Sequence, residues 1–121
     1  MHGVDVRFGH DDVPRSLPHE VEISLFRVAQ EGLNNVVKHS GAREADVTLR
    51  MNGEALVLTI ADRGIGFHEA PAASRDGLGL ASMRERLRLI HGEFVVRSQP
   101  DQGTTIVARV VMPRKGEAVQ G

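Results

Sequence analysis

A strand that is apolar on both of its faces restricts this chain to folds in which a sheet continues on either side of that strand. Residues 55–61 read ALVLTIA, so apolar side chains alternate onto both faces. The stretch 45–51 precedes them, and Asn52 and Gly53 lie between the two as a typical hairpin turn. Because such a strand is buried on both faces, we predict that 55–61 is central in its sheet and pairs with 45–51.

A long amphipathic helix is predicted before this hairpin, opening near Pro18 and extending to about Lys38. Its apolar residues recur with a period of about 3.6, and Ser40 and Gly41 then stop it. The predicted apolar half consists of Val21, Leu25, Val28, Ala29, Leu33 and Val36, and the predicted polar half of Arg27, Gln30, Glu31, Asn34, Asn35 and Lys38.

Helices and strands are also predicted to alternate in the rest of the chain. A second helix is predicted from Leu80 to Ile90 and ends at His91 and Gly92. The order strand, helix, hairpin, loop, helix, hairpin predicts an α/β (α+β) two-layer sandwich, with a mixed, mostly antiparallel sheet backed by helices. We expect further strands at 4–8, 94–97 and 104–112, one domain over 1–113 and a polar tail over 114–121.

Composition narrows the partners of such a domain. The 15 Lys and Arg residues against 16 Asp and Glu give a net charge of −1, so the chain has no overall attraction for nucleic acid. It contains no cysteine, which excludes disulfides, thiolate nucleophiles and cysteine-bound zinc. No apolar run is long enough to cross a bilayer, and no charged-then-apolar leader is recognisable. We therefore expect a cytoplasmic domain with no nucleic-acid partner and no direct membrane contact.

The polar half of the long helix is the first candidate site. Glu31, Asn35 and Lys38 follow one another at intervals of four and three residues, hence in one row along the helix. A carboxylate, a carboxamide oxygen and an ammonium in line can position water, bind a hard cation and neutralise phosphate. The alternative is a solvated helix face with ordinary intrahelical pairs. Asn34 beside Asn35 favours a site, because Asn is a mediocre helix former.

Two glycine-rich segments follow the central strand. In the first, residues 62–67 read DRGIGF, and a carboxylate at a strand end is a good acceptor for an exocyclic amine. In the second, residues 76–80 read DGLGL and lead into the second helix, where free N–H groups can bind an anion. The alternatives are a plain turn for the first segment and a flexible hinge for the second.

Taken together, these segments resemble the nucleotide-binding motifs of sensor histidine kinases. Residues 26–40, FRVAQEGLNNVVKHS, resemble the N box, and 62–67 and 77–80 resemble the two glycine boxes. Residues 103–105, GTT, resemble the closing motif on the adenine side. The string GLASMRERL at 79–87 and the Lys-His-Ser ending resemble the class of nitrate and lipid-fluidity sensors. The resemblance implies the Bergerat-type GHKL ATPase fold, with ATP and Mg²⁺ as ligands.

The resemblance also implies roles on the phosphate side of the site. By it, Asn35 coordinates the Mg²⁺ that bridges the phosphates, and Asn34 belongs to the same ATP-binding set. Glu31 occupies the position of the acidic base of the superfamily, as base or as positioning group. Lys38 contacts phosphate, directly or through water.

On the adenine side, the resemblance implies that Asp62 accepts a hydrogen bond from the amino group of the base. Thr104 supports that side of the pocket, and Gly64 and Gly66 shape it. The second glycine box would hinge a lid and bring amides to the phosphates, through Gly77, Leu78 and Gly79.

Kinases of this kind phosphorylate a histidine on a two-helix dimerisation domain, within a Glu-Leu-His-Asp-like segment. No such segment occurs here. We therefore expect a catalytic domain that donates phosphate to a histidine on a separate or upstream dimerisation domain. A response regulator is expected as an indirect partner, and the full-length protein can be membrane-anchored.

Two alternatives stay open: an anti-sigma-factor-like serine kinase of the same superfamily, and a degenerate nucleotide-binding module that only regulates a partner. Intact Glu31, Asn35 and Asp62 argue against the second.

Overall fold

Residues 5–36, 44–63, 80–99 and 103–112 are described by the computed structural model and form two helices and five strands. In chain order the elements are β1 (Asp5–Asp11), α1 (His19–Asn35), β2 (Glu44–Asn52), β3 (Ala55–Asp62), α2 (Leu80–Arg88), β4 (Gly92–Gln99) and β5 (Gly103–Val111).

The five strands form one sheet in the order β1-β2-β3-β5-β4. Only β1 and β2 run parallel, while β2–β3, β3–β5 and β4–β5 are antiparallel pairs. The mixed, mostly antiparallel sheet is therefore confirmed, and β3 is its middle strand as its two apolar faces predict.

Both helices pack on one face of this sheet. Every second residue of β3 and β5 is buried on that face, including Leu58, Ile60, Ile106 and Ala108. Helix α1 contacts β3 and β5, and α2 contacts β4 and α1. The two-layer arrangement follows, with the core between the sheet and the helices. The buried core comprises Val21, Leu25, Val28, Val47, Leu56, Leu58, Ile60, Met83, Leu87, Ile106, Ala108 and Val110.

The turn between β2 and β3 lies one residue later than the sequence predicts. Asn52 pairs with Ala55, so Gly53 and Glu54 form the two-residue loop. Gly53 has φ 64°, and a positive φ at the first loop position is the pattern of a type II′ turn. Asn52 was expected in the turn because Asn-Gly favours type I′, but here the strand extends through it.

Substituting Gly53 is expected to destabilise the hairpin without disturbing any neighbour. A Cβ at this position has nothing within 4 Å, so the whole cost comes from placing an L side chain at φ 64°. We expect Gly53→Ala to lower the free energy of unfolding by about 1 to 2 kcal/mol. Urea denaturation followed by circular dichroism measures this. An unchanged midpoint would contradict the turn geometry.

β1 departs from its prediction in length and in burial. The sequence predicts a half-buried strand over 4–8, whereas the described strand continues to Asp11 and is mostly exposed. Phe8 keeps 67% of its surface exposed, and Val6 keeps 45%. The reason is topological, because β1 is an edge strand and both helices pack over the strands on the other side of β2.

The second helix is shorter than predicted. It ends at Arg88, and Ile90 lies in the turn that follows, where its N–H donates to the carbonyl of Leu87. His91, not Gly92, adopts the positive φ of 58° after the helix, a conformation that His takes more readily than most residues. Gly92 instead begins β4, which also starts earlier than the predicted 94–97.

Neither helix in the described ranges is long and apolar enough to cross a membrane.

Candidate functional site

Two polar residues are buried side by side where β3 ends and β5 begins. Asp62 is 8% exposed and Thr104 is 5% exposed, and the two are directly paired across the strands. By strand alternation they share the face of Ile60 and Ile106, which is the face that carries α1. A carboxylate and a hydroxyl thus lie together on the helix side of the sheet, at the end of the central strand.

Helix α1 approaches the sheet very closely near this pair. A Cβ added to Gly32 would lie 2.6 Å from Cδ1 of Ile60 and 3.5 Å from Cδ1 of Ile106. Glycine at this position therefore lets the helix backbone rest on the residue pair next to Asp62 and Thr104. No role was predicted for Gly32, although a glycine inside a helical pattern is a signal of close packing.

The C-terminal end of α1 lies over the end of β3. Gly32 lies in the last turns of α1 and packs against Ile60 and Ile106, the residue pair next to Asp62 and Thr104. Asn35 follows Gly32 by about one turn and is the last residue of the helix. The last turn of α1 therefore lies near the buried polar pair.

The structure corrects the predicted faces of this helix. Asn35 was placed on the polar half, but it is 5% exposed, and Ser24 on the same side is 6% exposed. The buried arc is centred nearer Val28 than the prediction has it, and Ala29 and Leu33 are only partly buried. Asn35 is therefore a buried polar residue at the edge of the core and not part of a solvated face.

Glu31 of the row and the adjacent Asn34 lie around an open groove. Glu31 is half-buried and Asn34 is exposed. Together with Gln30 and Leu33 they line a cavity of about 470 Å³ on the outer side of the last turns of α1. This volume is in the usual range for small-ligand sites. Asn34 and Asn35, though adjacent, thus lie in different environments, one exposed on the groove and one buried.

Six of the predicted site residues lie outside the described residues, and their roles stay predictions. These residues are Lys38, Gly64, Gly66, Gly77, Leu78 and Gly79. The described part of the chain brings Glu31, Asn34 and Asn35 to the last turns of α1, and Asp62 and Thr104 to the sheet below.

The polar groups of the site are held in place. In the described part of the chain, every fully buried side-chain nitrogen or oxygen has a hydrogen-bond partner. Asn35, Asp62 and Thr104 each take part in such polar or electrostatic interactions.

The oxygen donors on α1 fit a magnesium ion that is bound together with phosphates. Such an ion is typically held through one or two protein oxygens, the rest of its shell being phosphate oxygens and water. Glu31 and Asn35 supply a carboxylate and a carboxamide oxygen on neighbouring turns. Within the described ranges no group of three or more His, Cys, Asp or Glu side chains could hold a metal by itself. A metal here would therefore depend on the phosphates of a ligand.

Known proteins resemble this chain over nearly its whole length. It is 34% identical over 108 residues to the signal transduction histidine-protein kinase/phosphatase DegS of Brevibacillus brevis, covering 89% of this chain and 28% of DegS. It is 33% identical over 119 residues to the nitrate/nitrite sensor protein NarX of Escherichia coli K12, covering 98% of this chain and 20% of NarX. The chain thus spans less than a third of the length of these relatives.

Solved structures share the fold. The blue-light activated histidine kinase EL346 of Erythrobacter litoralis superposes with a TM-score of 0.73 at 24% identity, over 91% of this chain and 36% of that one. The histidine kinase AdeS of Acinetobacter baumannii superposes with a TM-score of 0.71 at 16% identity, over 93% and 56%. A family model described as histidine kinase-, DNA gyrase B- and HSP90-like ATPase matches residues 20–114. Since that match covers most of its length, the chain belongs to this family of ATPases.

Proposed function

We propose that this domain binds ATP with Mg²⁺ and donates the γ-phosphate to a histidine on a separate or upstream dimerisation domain, in two-component signal transduction. One observation carries the proposal: a buried Asp62, paired with Thr104, lies on the sheet face beneath the last turns of α1, which bear Glu31 and Asn35. The domain would work in the cytoplasm, where ATP is supplied. A response regulator would receive the phosphate only afterwards, from the histidine.

The adenine side of the site rests on Asp62. Its carboxylate is an acceptor, so it can accept a hydrogen bond from the amino group of adenine. Guanine presents a carbonyl oxygen at the corresponding position, which would face the buried carboxylate as a second acceptor. Because an unsatisfied buried polar group is costly, this arrangement favours ATP over GTP. Thr104, directly across the strand pair, completes this side, with Gly64 and Gly66 as its proposed outer wall.

The phosphate side rests on the end of α1. Asn35 would hold the metal, and Lys38 would contact phosphate, directly or through water. When bound, Mg²⁺ neutralises charge on the phosphates and orients them. We propose that Glu31 positions water or acts as a base at the groove and that Asn34 lies within reach of the nucleotide. Gly77, Leu78 and Gly79 would hinge a lid and bring backbone amides to the phosphates.

The reaction is phosphoryl transfer, in which little covalent chemistry is asked of the protein. Catalysis comes from holding the γ-phosphate in line with the acceptor nitrogen. The relatives described above are named as histidine kinases or as a nitrate/nitrite sensor, which favours a histidine acceptor over the anti-sigma-factor-like serine kinase. Intact Asn35 and Asp62 favour an active site over a degenerate module.

The test is phosphate transfer from γ-labelled ATP. We expect the 121-residue chain alone to acquire no histidine phosphate, because its sequence contains no Glu-Leu-His-Asp-like acceptor segment that could hold a histidine in line with the γ-phosphate. Adding a histidine-containing dimerisation domain from a sensor histidine kinase should give slow transfer, seen as an acid-labile, base-stable label on the added domain. The same added domain with its acceptor His replaced by Gln is the control.

Two results would contradict the proposal. Strong histidine labelling of this chain by itself would show that it is not only the catalytic half. A failure of ATP with Mg²⁺ to bind at all, measured by calorimetry on the same folded sample, would remove the nucleotide site.

A further inference from the structure

Gly103 begins β5 in a conformation that side chains rarely adopt. Its φ is 83°, it is buried, and it directly precedes Thr104 of the polar pair. It pairs with Gln99 of β4 across the β4–β5 hairpin. A glycine at a strand start with positive φ points to a backbone constraint at this position.

The constraint comes from the end of β3. A Cβ at position 103 would overlap the carbonyl oxygen of Asp62 and would lie 2.9 Å from the carbonyl carbon of Asp62 and from Cα of Arg63. All three are backbone atoms, so none can turn away as a side-chain methyl can. Gly32 differs in this respect, since its Cβ would meet the terminal methyl of Ile60.

We propose that Gly103 is a positioning residue for recognition of the base, acting through Asp62. Because Gly103 has no side chain, the start of β5 can pack closely against the backbone of Asp62 and Arg63. This contact sets the position of the Asp62 carboxylate beside Thr104. Ordinary contact begins at 3.4 Å, so a methyl here forces the two backbones apart by roughly half an ångström or more. A hydrogen bond to a base tolerates little such displacement, because its useful range spans only about 0.5 Å.

This inference rests on the proposed function and adds to it. Thr104 and Asp62 would touch the nucleotide, whereas Gly103 touches only the backbone that carries Asp62. The consequence is specific: loss of the close contact should impair the choice between ATP and GTP more than it impairs binding of phosphates, which depends on α1.

The chain offers a matched control for the test. Gly53 also has a positive φ, 64°, but a Cβ there has nothing within 4 Å. Gly53→Ala therefore carries the conformational cost alone, and Gly103→Ala carries that cost together with the overlap on Asp62. A difference in nucleotide preference between the two variants therefore reports the contact of position 103 with the Asp62 backbone.

We expect Gly103→Ala to weaken ATP binding about tenfold and leave GTP binding nearly unchanged, so that the preference for ATP shrinks about tenfold. Gly53→Ala should keep the wild-type preference. The measurements are calorimetric titrations of ATP and of GTP with Mg²⁺, at a temperature where urea melts show both variants to be folded. Gly103→Asn, with Gly53→Asn as its control, repeats the test with a residue that tolerates positive φ better.

The possible outcomes separate cleanly. A folded Gly103 variant with the wild-type ratio of ATP to GTP affinity would overturn the proposal, as would an equal loss of both nucleotides. A smaller ratio in Gly103 variants alone supports it. If the wild-type chain binds no ATP, or binds ATP and GTP equally well, this result contradicts the proposed function itself. It is then independent of the Gly103 variants.

Discussion

Replacing Asp62 by alanine is expected to weaken ATP binding about thirtyfold and to abolish the preference for ATP over GTP. The figure corresponds to about 2 kcal/mol, the usual worth of a buried hydrogen bond to a charged group. The carboxylate is 8% exposed at the end of the central strand, so water cannot readily replace it as acceptor. Competition titrations with ATP and GTP measure both effects.

The matched control is Asp46→Ala. Asp46 lies on β2, pairs with Ala61 and is exposed, so it carries the same charge on the opposite face of the sheet. Its removal should change neither affinity by more than about twofold, because an exposed carboxylate on the opposite face of the sheet cannot hydrogen-bond the base and acts only weakly through solvent. Equal effects of the two substitutions, or a GTP affinity matching that of ATP in the wild type, would disprove the adenine role of Asp62.

Replacing Asn35 by alanine is expected to remove the Mg²⁺-dependent part of ATP binding and to lower phosphotransfer about a hundredfold. Changes to residues that only support a metal ligand already cost about 10–100-fold, so loss of a direct oxygen ligand should reach the upper end. The fold should persist, because alanine is the better helix former and the position is the last of α1. Calorimetry with and without Mg²⁺, and labelling of the added dimerisation domain, measure the two effects.

The neighbouring Asn34→Ala variant tests whether the two adjacent asparagines have different roles. Asn34 is exposed on the groove, whereas Asn35 is 5% exposed at the end of the core, so the same change at 34 should reduce affinity only a few-fold and leave the Mg²⁺ dependence intact. If Asn34→Ala abolished the Mg²⁺ dependence and Asn35→Ala did not, the metal assignment would move to Asn34. Equal affinities for wild type with and without Mg²⁺ would dismiss the metal site altogether.

Local patterns in the sequence predict the elements well because each pattern has a local cause. The period of α1, the two apolar faces of β3 and the glycine after Asn52 are consequences of backbone geometry that operate over a few residues. The same is true of the chemical candidates. Asp62 was predicted at a strand end because its neighbours in the sequence form the strand, and the structure places it at the end of β3.

The predictions from sequence were wrong where the tertiary surroundings of an element decide its burial or its bounds. β1 was expected to be half-buried from its alternation, yet no local signal says that both helices pack beyond β2. Asn35 was assigned to a polar face because it is polar, but the burial of a helix position depends on which way the helix is turned against the sheet. His91 takes the positive φ after the helix because β4 begins at Gly92, two residues earlier than the predicted 94–97.

The sequence by itself determined the order of the strands and helices and the candidate residues Glu31, Asn35 and Asp62, since all of these depend on side-chain chemistry and short-range periodicity. Only the tertiary structure decided which residues lie next to one another. The pairing of Asp62 with Thr104 joins residues 42 positions apart in the chain, and the fit of Gly103 against Asp62 depends on that pairing. Contacts of this kind are set by strand register and by close packing between distant backbones, for which the sequence carries no local pattern.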